Sequence, residues 1–486
     1  MRTRYDICLG LFAFATALSL LGCTAGPDYV PAETALPQAW HSILQEGLTD
    51  QTPEPETLAS WWTTLNDAAL DSLIERAVSG NLDVKVAQSR VRQARAARGI
   101  TKAGALPTVN LSGSDRWTRS GGGEGTGRTT ELHSAAFDAG WELDVFGGTR
   151  RSIEASEADL QTNEAGLHDT MVTLLSEVAL NYVELRVYQA QLAAVQASLA
   201  AQEETYQLTE WQYQAQVSDE LAVHQARYNL ENTRSQIPDL QTALDGSMNR
   251  IAVLLGQQPG RLHDELSEPK PIPICSEQIA VGVPGDTLRQ RPDVRQAERQ
   301  VAAQTARIGV AEADRYPRFS LAGTIGGQAL SLISGTSSSI GGGPQVTWAV
   351  FDGGAIRQNI EQQSALQQQY LFQYEAAILN AQEEAENAIA SYVNEHEKRR
   401  SLETATEAAR NAATLARYEY EAGMTDFSNV LDAQRSLLSF ENQLAQSEGT
   451  VTSSLIRLYK ALGGGWTAAT FTDSPSDTET PHDTNS

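Results

Sequence analysis

The chain has 486 residues, of which 41% are apolar, and it carries 36 basic and 61 acidic side chains. The formal net charge of −25 argues against a nucleic-acid-binding protein, because phosphates must be neutralised by basic side chains. Of the three cysteines, Cys8 and Cys23 lie at the extreme N-terminus. Cys275 stands alone in the body of the chain, which excludes an internal disulfide framework there.

The N-terminus has the pattern of a lipoprotein signal peptide over residues 1–22. Arg2 and Arg4 precede the apolar stretch Ile7–Leu21, and Leu-Leu-Gly then leads directly into Cys23, as in a bacterial lipobox. We therefore predict cleavage before Cys23 and a covalent N-acyl diacylglycerol lipid, with palmitate, on that residue. Thr24 rather than Asp follows the cysteine, which in this class indicates sorting to the outer membrane. An ordinary signal peptide or a short membrane anchor are the alternatives.

The next segment, residues 23–80, combines a tether with the first helical stretch. Residues 24 to about 60 are rich in Pro, Glu and Thr and are expected to be an extended tether with little fold of its own. A helical pattern then runs from Trp61 to Val78. Asn81 is a plausible N-cap for a further helix from Leu82 to about Ala103.

After that helix the apolar pattern changes from helical to alternating, which predicts a β-hairpin over residues 108–146. Val109, Leu111 and Trp117 share one face of the first strand, and a second strand with apolar residues at every other position runs from Ala135 to Val145. A Gly-rich loop joins them. Two such strands of about ten residues fit a transmembrane β-hairpin, although a hairpin packed on a soluble core has the same pattern.

Two very long stretches contain neither Gly nor Pro: Leu167–Ile237, with 71 residues, and Ala355–Ala422, with 68. Because these residues are the usual helix breakers, their absence predicts very long helices. Apolar residues in the first stretch recur at steps of three and four, as in the seam of a coiled coil.

The chain is also a tandem duplication. The first repeat, 81–256, and the second, 291–465, each contain a helix, a β-hairpin and long helices, and a Pro-rich linker, 257–290, joins them. The second hairpin is predicted over 318–352, with a Ser/Gly loop at residues 331–343. The polar tail, 466–486, is expected to be disordered.

Four strands in one chain do not close a barrel, and an open sheet edge is not tolerated in lipid. Closure therefore requires several chains that pool their strands. Two chains would supply eight strands and three would supply twelve, and this arithmetic does not choose between them.

An enzyme is not expected. The seven histidines form no pair at helical metal-ligand spacing, and there is no cysteine pair, so no metal site is predicted. His396 lies among charged residues and is interpreted as a surface residue. The glycines of Gly121–Gly127 are not followed by the Gly-Lys-Ser/Thr of a phosphate loop and indicate a flexible hairpin loop.

Several motifs together resemble the outer-membrane efflux channels of the TolC superfamily, in particular its lipidated OprM- and NodT-like branch, over nearly the whole mature chain. They are Cys23 with Gly26-Pro27-Asp28-Tyr29, Trp141–Gly147, Arg291–Arg295, Gly309–Ala313 with Pro317, Trp348–Gly354 and Val430–Arg435.

The resemblance implies a mainly α-helical fold with a transmembrane β part. Four strands and a set of long coiled-coil helices per protomer would be pooled in a homotrimer as a 12-stranded β-barrel and a 12-helix periplasmic tunnel. The chain would then be lipid-anchored in, and would span, the bacterial outer membrane. It would conduct cargo passively from an inner-membrane pump, expected to be of the RND type, and a periplasmic adaptor protein. The cargo is not readable from the sequence.

The resemblance also places the gate and the docking tips. Asp432 matches the family's gate aspartate and Tyr420 a tyrosine of the gate network, whereas Glu421 stands where relatives often carry a basic residue. An arginine–aspartate lock is therefore absent at that site, and we expect a gate held more by packing than by ion pairs. The adaptor is expected to dock on two helix–turn–helix tips, which comprise Gln216, Val217, Ser218, Ala422, Gly423 and Met424. Gln216 and Ala222 also depart from the usual Gly and Asp of the first tip.

The alternative is a non-spanning coiled-coil lipoprotein that acts as a spacer or adaptor. It would account for the long helices and the lipid. It would not account for two amphipathic hairpins at equivalent places in a duplication.

Overall fold

The computed structural model describes residues 24–31, 37–52, 54–121, 128–275, 278–331 and 334–466. The predicted signal peptide, Cys23 and the predicted disordered tail after Trp466 lie outside the described residues.

The described chain is mostly helical, as predicted. The helices are α1 (Pro55–Ala59), a 3-10 helix (Trp61–Leu65), α2 (Ala68–Gly80), α3 (Leu82–Ala103), α4 (Gly148–Gln214), α5 (Glu220–Leu254), α6 (His263–Leu266), α7 (Pro284–Gln290), α8 (Pro292–Ala313), α9 (Ala355–Glu421) and α10 (Phe427–Ala461). The strands are β1 (Leu48–Thr49), β2 (Thr108–Ser120), β3 (Arg128–Leu143), β4 (Ile279–Ala280), β5 (Arg318–Ser331) and β6 (Ser334–Thr347).

Contacts divide the chain into two compact units, which do not coincide with the two sequence repeats. In their described parts, the first unit comprises Met1–Thr34, Gln88–Ala165 and Arg295–Ala377, and the second comprises Ala35–Ala87, Gly166–Val294 and Ile378–Ser486. Each unit takes segments from both repeats, so the duplication produces two mixed units rather than two separate domains.

The two longest helices, α4 and α9, have 67 residues each. Helix α4 begins at Gly148, well before the Gly-free stretch, because a single glycine, Gly166, is tolerated inside a helix at a cost of about 1 kcal/mol. It also ends before that stretch does, at Gln214, so the absence of glycine does not mark this turn. Helix α3 begins after Asn81, whose side-chain oxygen accepts from the backbone N–H groups of Asp83 and Val84. Asn81 is therefore the N-cap that was predicted.

Four strands of the first unit form one antiparallel sheet in the order β2-β3-β5-β6. The predicted first hairpin is confirmed, and β3 and β5 join the hairpins of the two repeats. The predicted Ser/Gly loop at 331–343 is wrong, because residues 334–343 lie in strand β6 and pair with β5. A strand of glycine and serine has no alternating apolar pattern, so its pairing partner rather than its side chains defines it.

In the second unit, the segment after the N-terminus makes specific contacts that the expected extended tether would lack. Strand β1 pairs in parallel with β4 of the predicted linker. The indole N–H of Trp40 donates to the carbonyl of Gly282 at 2.8 Å. The backbone N–H of His41 donates to a carboxylate oxygen of Glu386 at 2.7 Å.

The core of the second unit contains a buried polar network. Arg186 is 1% exposed; it donates to the hydroxyl of Tyr182 and to the side-chain oxygen of Gln189. The Tyr182 hydroxyl donates to Asp67 at 2.6 Å. Burial raises the pKa of Tyr182 well above its ordinary value, and the bond to Asp67 adds to this, so the phenol stays protonated. The network fixes the start of α2 on α4.

No helix in the described ranges is both long enough and apolar enough to cross a membrane.

Candidate channel gate

The turn between α4 and α5 and the turn between α9 and α10 have the same backbone hydrogen bonds. In the first, Val217 N–H donates to the carbonyl of Gln212 and Gln216 N–H to that of Tyr213. In the second, Met424 N–H donates to Glu419 O and Gly423 N–H to Tyr420 O, and these residues lie 207 positions after their counterparts. This 6→1 and 5→2 pattern is the Schellman motif, which requires a left-handed residue directly after the helix.

The two turns differ in the residue at that left-handed position. Gly423 has φ +70° and no Cβ, so it adopts this conformation at no steric cost. Gln216 has φ 60°, a conformation that costs a residue with a side chain about 1–2 kcal/mol. The first turn therefore holds strain that the second lacks.

The helices after the turns also begin differently. The side chain of Asp219 caps α5 by accepting from Ala222 N–H at 2.9 Å. Asp426 occupies the equivalent position before α10 but makes no such bond. Instead, the side-chain amide of Asn429 donates to the Thr425 hydroxyl at 2.6 Å.

A buried apolar cluster lies behind the two turns. It contains Ala222, Ala226, Tyr420, Phe427, Val430 and Leu431. The Tyr420 ring meets the ring of Phe427 edge-on, with centroids 5.6 Å apart, and its hydroxyl donates to that of Thr209 at 3.2 Å. Tyr420 therefore ties α9 to α4 and to the start of α10 within one protomer.

The two acidic residues of the predicted gate lie outside this cluster. Asp432 is exposed, one turn into α10, and has no hydrogen bond or ion pair with any described residue. Glu421 is exposed and lies 3.5 Å from Arg417, one turn earlier on α9. Arg417 also lies 3.4 Å from Glu204 of α4. These exposed pairs contribute little stability, and neither brings a cation to Asp432.

The six predicted docking residues all lie in the two turns. Val217 and Met424 are the most exposed large apolar side chains there, at 76% and 73%. Large apolar side chains that are also exposed continue from the turns onto the adjoining helices at Trp211, Leu221 and Tyr418. Several exposed apolar side chains of this size near the two turns are costly in water and indicate a surface suited to burial against protein.

Three residues of this region were not predicted from the sequence. Thr209 and Phe427 become part of it only because α4, α9 and α10 pack together, and no local pattern marks them. Arg417 could have been found, because it stands four residues before Glu421 on one helix, a spacing that favours a charge pair.

Residues 24–29, next to the predicted lipidation site, are held by contacts within the first unit. Ala25 N–H donates to the carbonyl of Phe146 at 2.9 Å. The buried guanidinium of Arg151 donates to the Ala25 carbonyl at 3.1 Å and to the Asp28 carboxylate at 2.6 Å. The residue after Cys23 therefore starts a segment that is fixed beside the junction of β3 and α4.

Two glycines permit this docking. A Cβ on Gly26, which has φ +80°, would collide with Gly309, and a Cβ on Gly309 would meet Arg151 at 2.8 Å. The hydroxyl of Tyr29 donates to Glu298 at 3.0 Å. Burial, and then the Glu298 charge, raise the pKa of Tyr29 well above its ordinary value.

Among the described residues, no group of three or more His, Cys, Asp or Glu side chains could hold a metal ion. Among the described residues, the two turns offer exposed carboxylates and exposed apolar side chains, but no juxtaposed nucleophile and base.

Comparison with known proteins agrees with this architecture. The family model described as outer membrane efflux protein matches residues 73–257 and 283–464. Nodulation protein T of Rhizobium leguminosarum bv. trifolii is 32% identical over 457 residues, which are 93% of this chain and 96% of that protein. The cation efflux system protein CusC of Escherichia coli K12 is 30% identical over 458 residues, 94% of this chain and 99% of CusC.

Among solved structures, the outer-membrane channel OprN superposes with a TM-score of 0.85 at 36% identity, over 91% of this chain and 100% of OprN. The two segments that the family model matches correspond to the two repeats of the fold, each with its hairpin and long helices. The chain therefore belongs to the outer membrane efflux protein family.

Proposed function

We propose that this protein is the outer-membrane channel of a tripartite efflux system and that it conducts cargo passively to the exterior through a gated periplasmic end. One observation carries the proposal: each repeat contributes a long β-hairpin and a pair of long helices, within a family of outer membrane efflux proteins. The partners are an adaptor protein and an inner-membrane pump, of the RND type.

The assembly is a homotrimer. Four strands per chain leave two unpaired sheet edges, and lipid does not tolerate unpaired backbone groups. Three copies supply twelve strands for a closed sheet, continued by helical columns from α4, α5, α9 and α10. Relatives named for cation efflux and for toluene efflux share this fold although their cargo differs, which is compatible with selectivity that lies largely in the pump.

The gate consists of three copies of the two turns around the threefold axis. Asp432, exposed and unpaired, supplies a ring of carboxylates whose attraction for cations grows as the pore narrows. Tyr420 packs the end of each α9 against α4 and α10 of the same protomer. Glu421 adds negative charge near the opening. Among the described residues of one protomer, no cation lies beside Asp432, which supports a gate held by packing rather than by ion pairs within the protomer.

The exposed residues of the turns form the adaptor surface. Val217 and Met424 supply apolar contact area, while Gln216, Ser218, Ala422 and Gly423 offer backbone and small polar groups. A lipid on Cys23 would anchor the chain to the outer membrane, and the fixed segment after it supports this because the lipid is then held at a defined place.

Imaging and conductance of the full-length protein, extracted from the outer membrane in detergent, test the proposal together. A threefold particle that forms ion-conducting pores in a planar bilayer is the expected result. A monomer or rod that does not conduct would refute the channel and leave the lipoprotein spacer as the explanation.

A further inference from the structure

The sheet of the first unit has two bare edges. In the described part of the sheet, β2 pairs only with β3, and β6 pairs only with β5. These edge strands are 13 and 14 residues long. Long unprotected edges are templates for pairing with another strand. In the trimer proposed above, on which this inference rests, the occupant of each edge is the opposite edge of a second copy of the chain.

Because of the internal duplication, each residue of the first hairpin has a counterpart in the second. Strand β2 is carried onto β5 by adding 210 to each residue number, and β3 onto β6 by adding 207. The pair Thr108↔Gly140 then becomes Arg318↔Thr347, which is an observed pair. The two hairpins therefore have the same register.

Two tryptophan side chains support the same correspondence independently. The indole N–H of Trp141 donates to the carbonyl of Ala105 at 3.0 Å, and that of Trp348 donates to the carbonyl of Arg315 at 3.1 Å. Ala105 and Arg315 are 210 residues apart, and the two tryptophans are 207 apart. Each indole thus anchors the end of its hairpin to the end of the preceding helix in the same way.

The junction between the two hairpins of one chain is the template for the junction between chains. There, β3 pairs with β5, and Trp141 lies opposite Leu321. In a ring of repeats, β6 stands to the β2 of the next copy as β3 stands to β5. Under the two offsets, Trp141↔Leu321 becomes Trp348↔Leu111.

We propose that β6 of one protomer, extended by the adjoining Trp348, pairs antiparallel with β2 of its neighbour in this single register, with Trp348 opposite Leu111 and Gln345 opposite Ser114. The second pair corresponds to Asp138↔Thr324 at the junction within the chain.

The chemistry of the two sheet faces agrees with this register. It places a tryptophan against a leucine on the apolar face at both junctions, and it places Gln345 against Ser114 on the polar face. A slip by one residue would turn the apolar side chains of one strand towards the polar face of the other. Slips by two residues keep the faces and are the competing registers.

Cysteine cross-linking distinguishes these registers in the full-length protein with Cys275→Ser as background. The test variant is Ser114→Cys with Gln345→Cys. The matched variants keep Gln345→Cys but pair it with Ser112→Cys or Arg116→Cys, which are displaced by two residues on the same face. Direct cross-strand neighbours have Cβ atoms about 4.5–5.5 Å apart and diagonal ones about 7–8 Å, so only the test pair is within disulfide reach.

After mild oxidation in the membrane, the test variant is expected to give covalent dimers and trimers on a non-reducing gel, and both displaced variants are expected to lose them. Cross-linking of a displaced pair in place of the test pair would overturn the register and leave the trimeric channel standing.

A fourth variant verifies folding and separates the remaining outcomes. Ser114→Cys with Ser134→Cys joins neighbours within one chain, whose hydroxyl oxygens are 2.8 Å apart, and should form an intramolecular disulfide. If this bond forms, none of the other pairs links chains, and the protein has the mass of a monomer, the proposed function fails together with the register. If the protein is instead a trimer with none of the pairs linked, only the register fails.

Discussion

Replacing Gln216 with glycine should stabilise the turn between α4 and α5. The residue has φ 60°, where a side chain costs about 1–2 kcal/mol, and glycine removes this cost. Glycine also has more backbone freedom in the unfolded chain, which destabilises the folded state by about 0.5–1 kcal/mol. The net gain is about 0.7 kcal/mol, or about threefold in the local opening equilibrium.

The exposed Gln216 side chain makes no hydrogen bond with a described residue, so the substitution removes backbone strain and little else. Amide hydrogen exchange of peptides that cover the turn, followed by mass spectrometry, measures the opening directly. Exchange at the turn should become about threefold slower, since the exchange rate follows the population of the open state.

Two variants test the reasoning from the opposite side. Gly423→Gln places the same side chain at the equivalent left-handed position of the second turn and should speed exchange there. Gln207→Gly makes the same chemical change on an exposed, right-handed position of α4 and should cost about 1 kcal/mol. If Gln216→Gly speeds exchange as Gln207→Gly does, the turn holds no strain and the argument is wrong.

Three further predictions follow from charged groups. Asp432→Asn should lower the cation selectivity of the pore in planar bilayers, whereas Asp432→Glu should retain it; equal cation selectivity of the two variants would contradict a role of Asp432 in the gate. Arg151→Met should cost about 2 kcal/mol, because it removes the charge-assisted bonds from the buried guanidinium to the Ala25 carbonyl and to the exposed Asp28 carboxylate, and should expose residues 24–29 to proteases. Arg150→Met, at an exposed site, should not increase cleavage by proteases, and identical cleavage of the two variants would contradict the role of Arg151 in holding residues 24–29. Burial, and then a neighbouring carboxylate, raise the pKa of Asp169, so its ionised form destabilises the fold at neutral pH. Asp169→Asn should therefore raise the unfolding temperature at pH 7.5, and the gain should vanish as the pH falls through the raised pKa to the ordinary one; a gain independent of pH would contradict this cause.

Local patterns were sufficient for the long helices and for the first hairpin. The Asn81 cap and the helix after it follow from side-chain hydrogen bonding to the first backbone N–H groups. The strands around Leu111 and Phe137 follow from apolar residues at every second position, because successive strand side chains point to opposite faces.

Elements without a local pattern were missed. The Ser/Gly segment 334–343 became a strand because β5 supplies its backbone partners. Residues 24–29 have a defined place because Arg151, more than 120 residues later in the chain, donates hydrogen bonds to them. In both cases the stabilising partner is distant in sequence, so no short window contains it.

The sequence by itself determined the class of the protein. Short-range periodicity indicated the long helices and the two hairpins, and repetition along the chain indicated the duplication. The family motifs are also short stretches of sequence. Only the tertiary structure decided that β3 joins β5, that Tyr420 is buried against Thr209 and Phe427, and that Asp432 is exposed with no partner among the described residues. The physical reason is that periodicity reports which face of an element is apolar, whereas partners are chosen by packing between elements far apart in the chain.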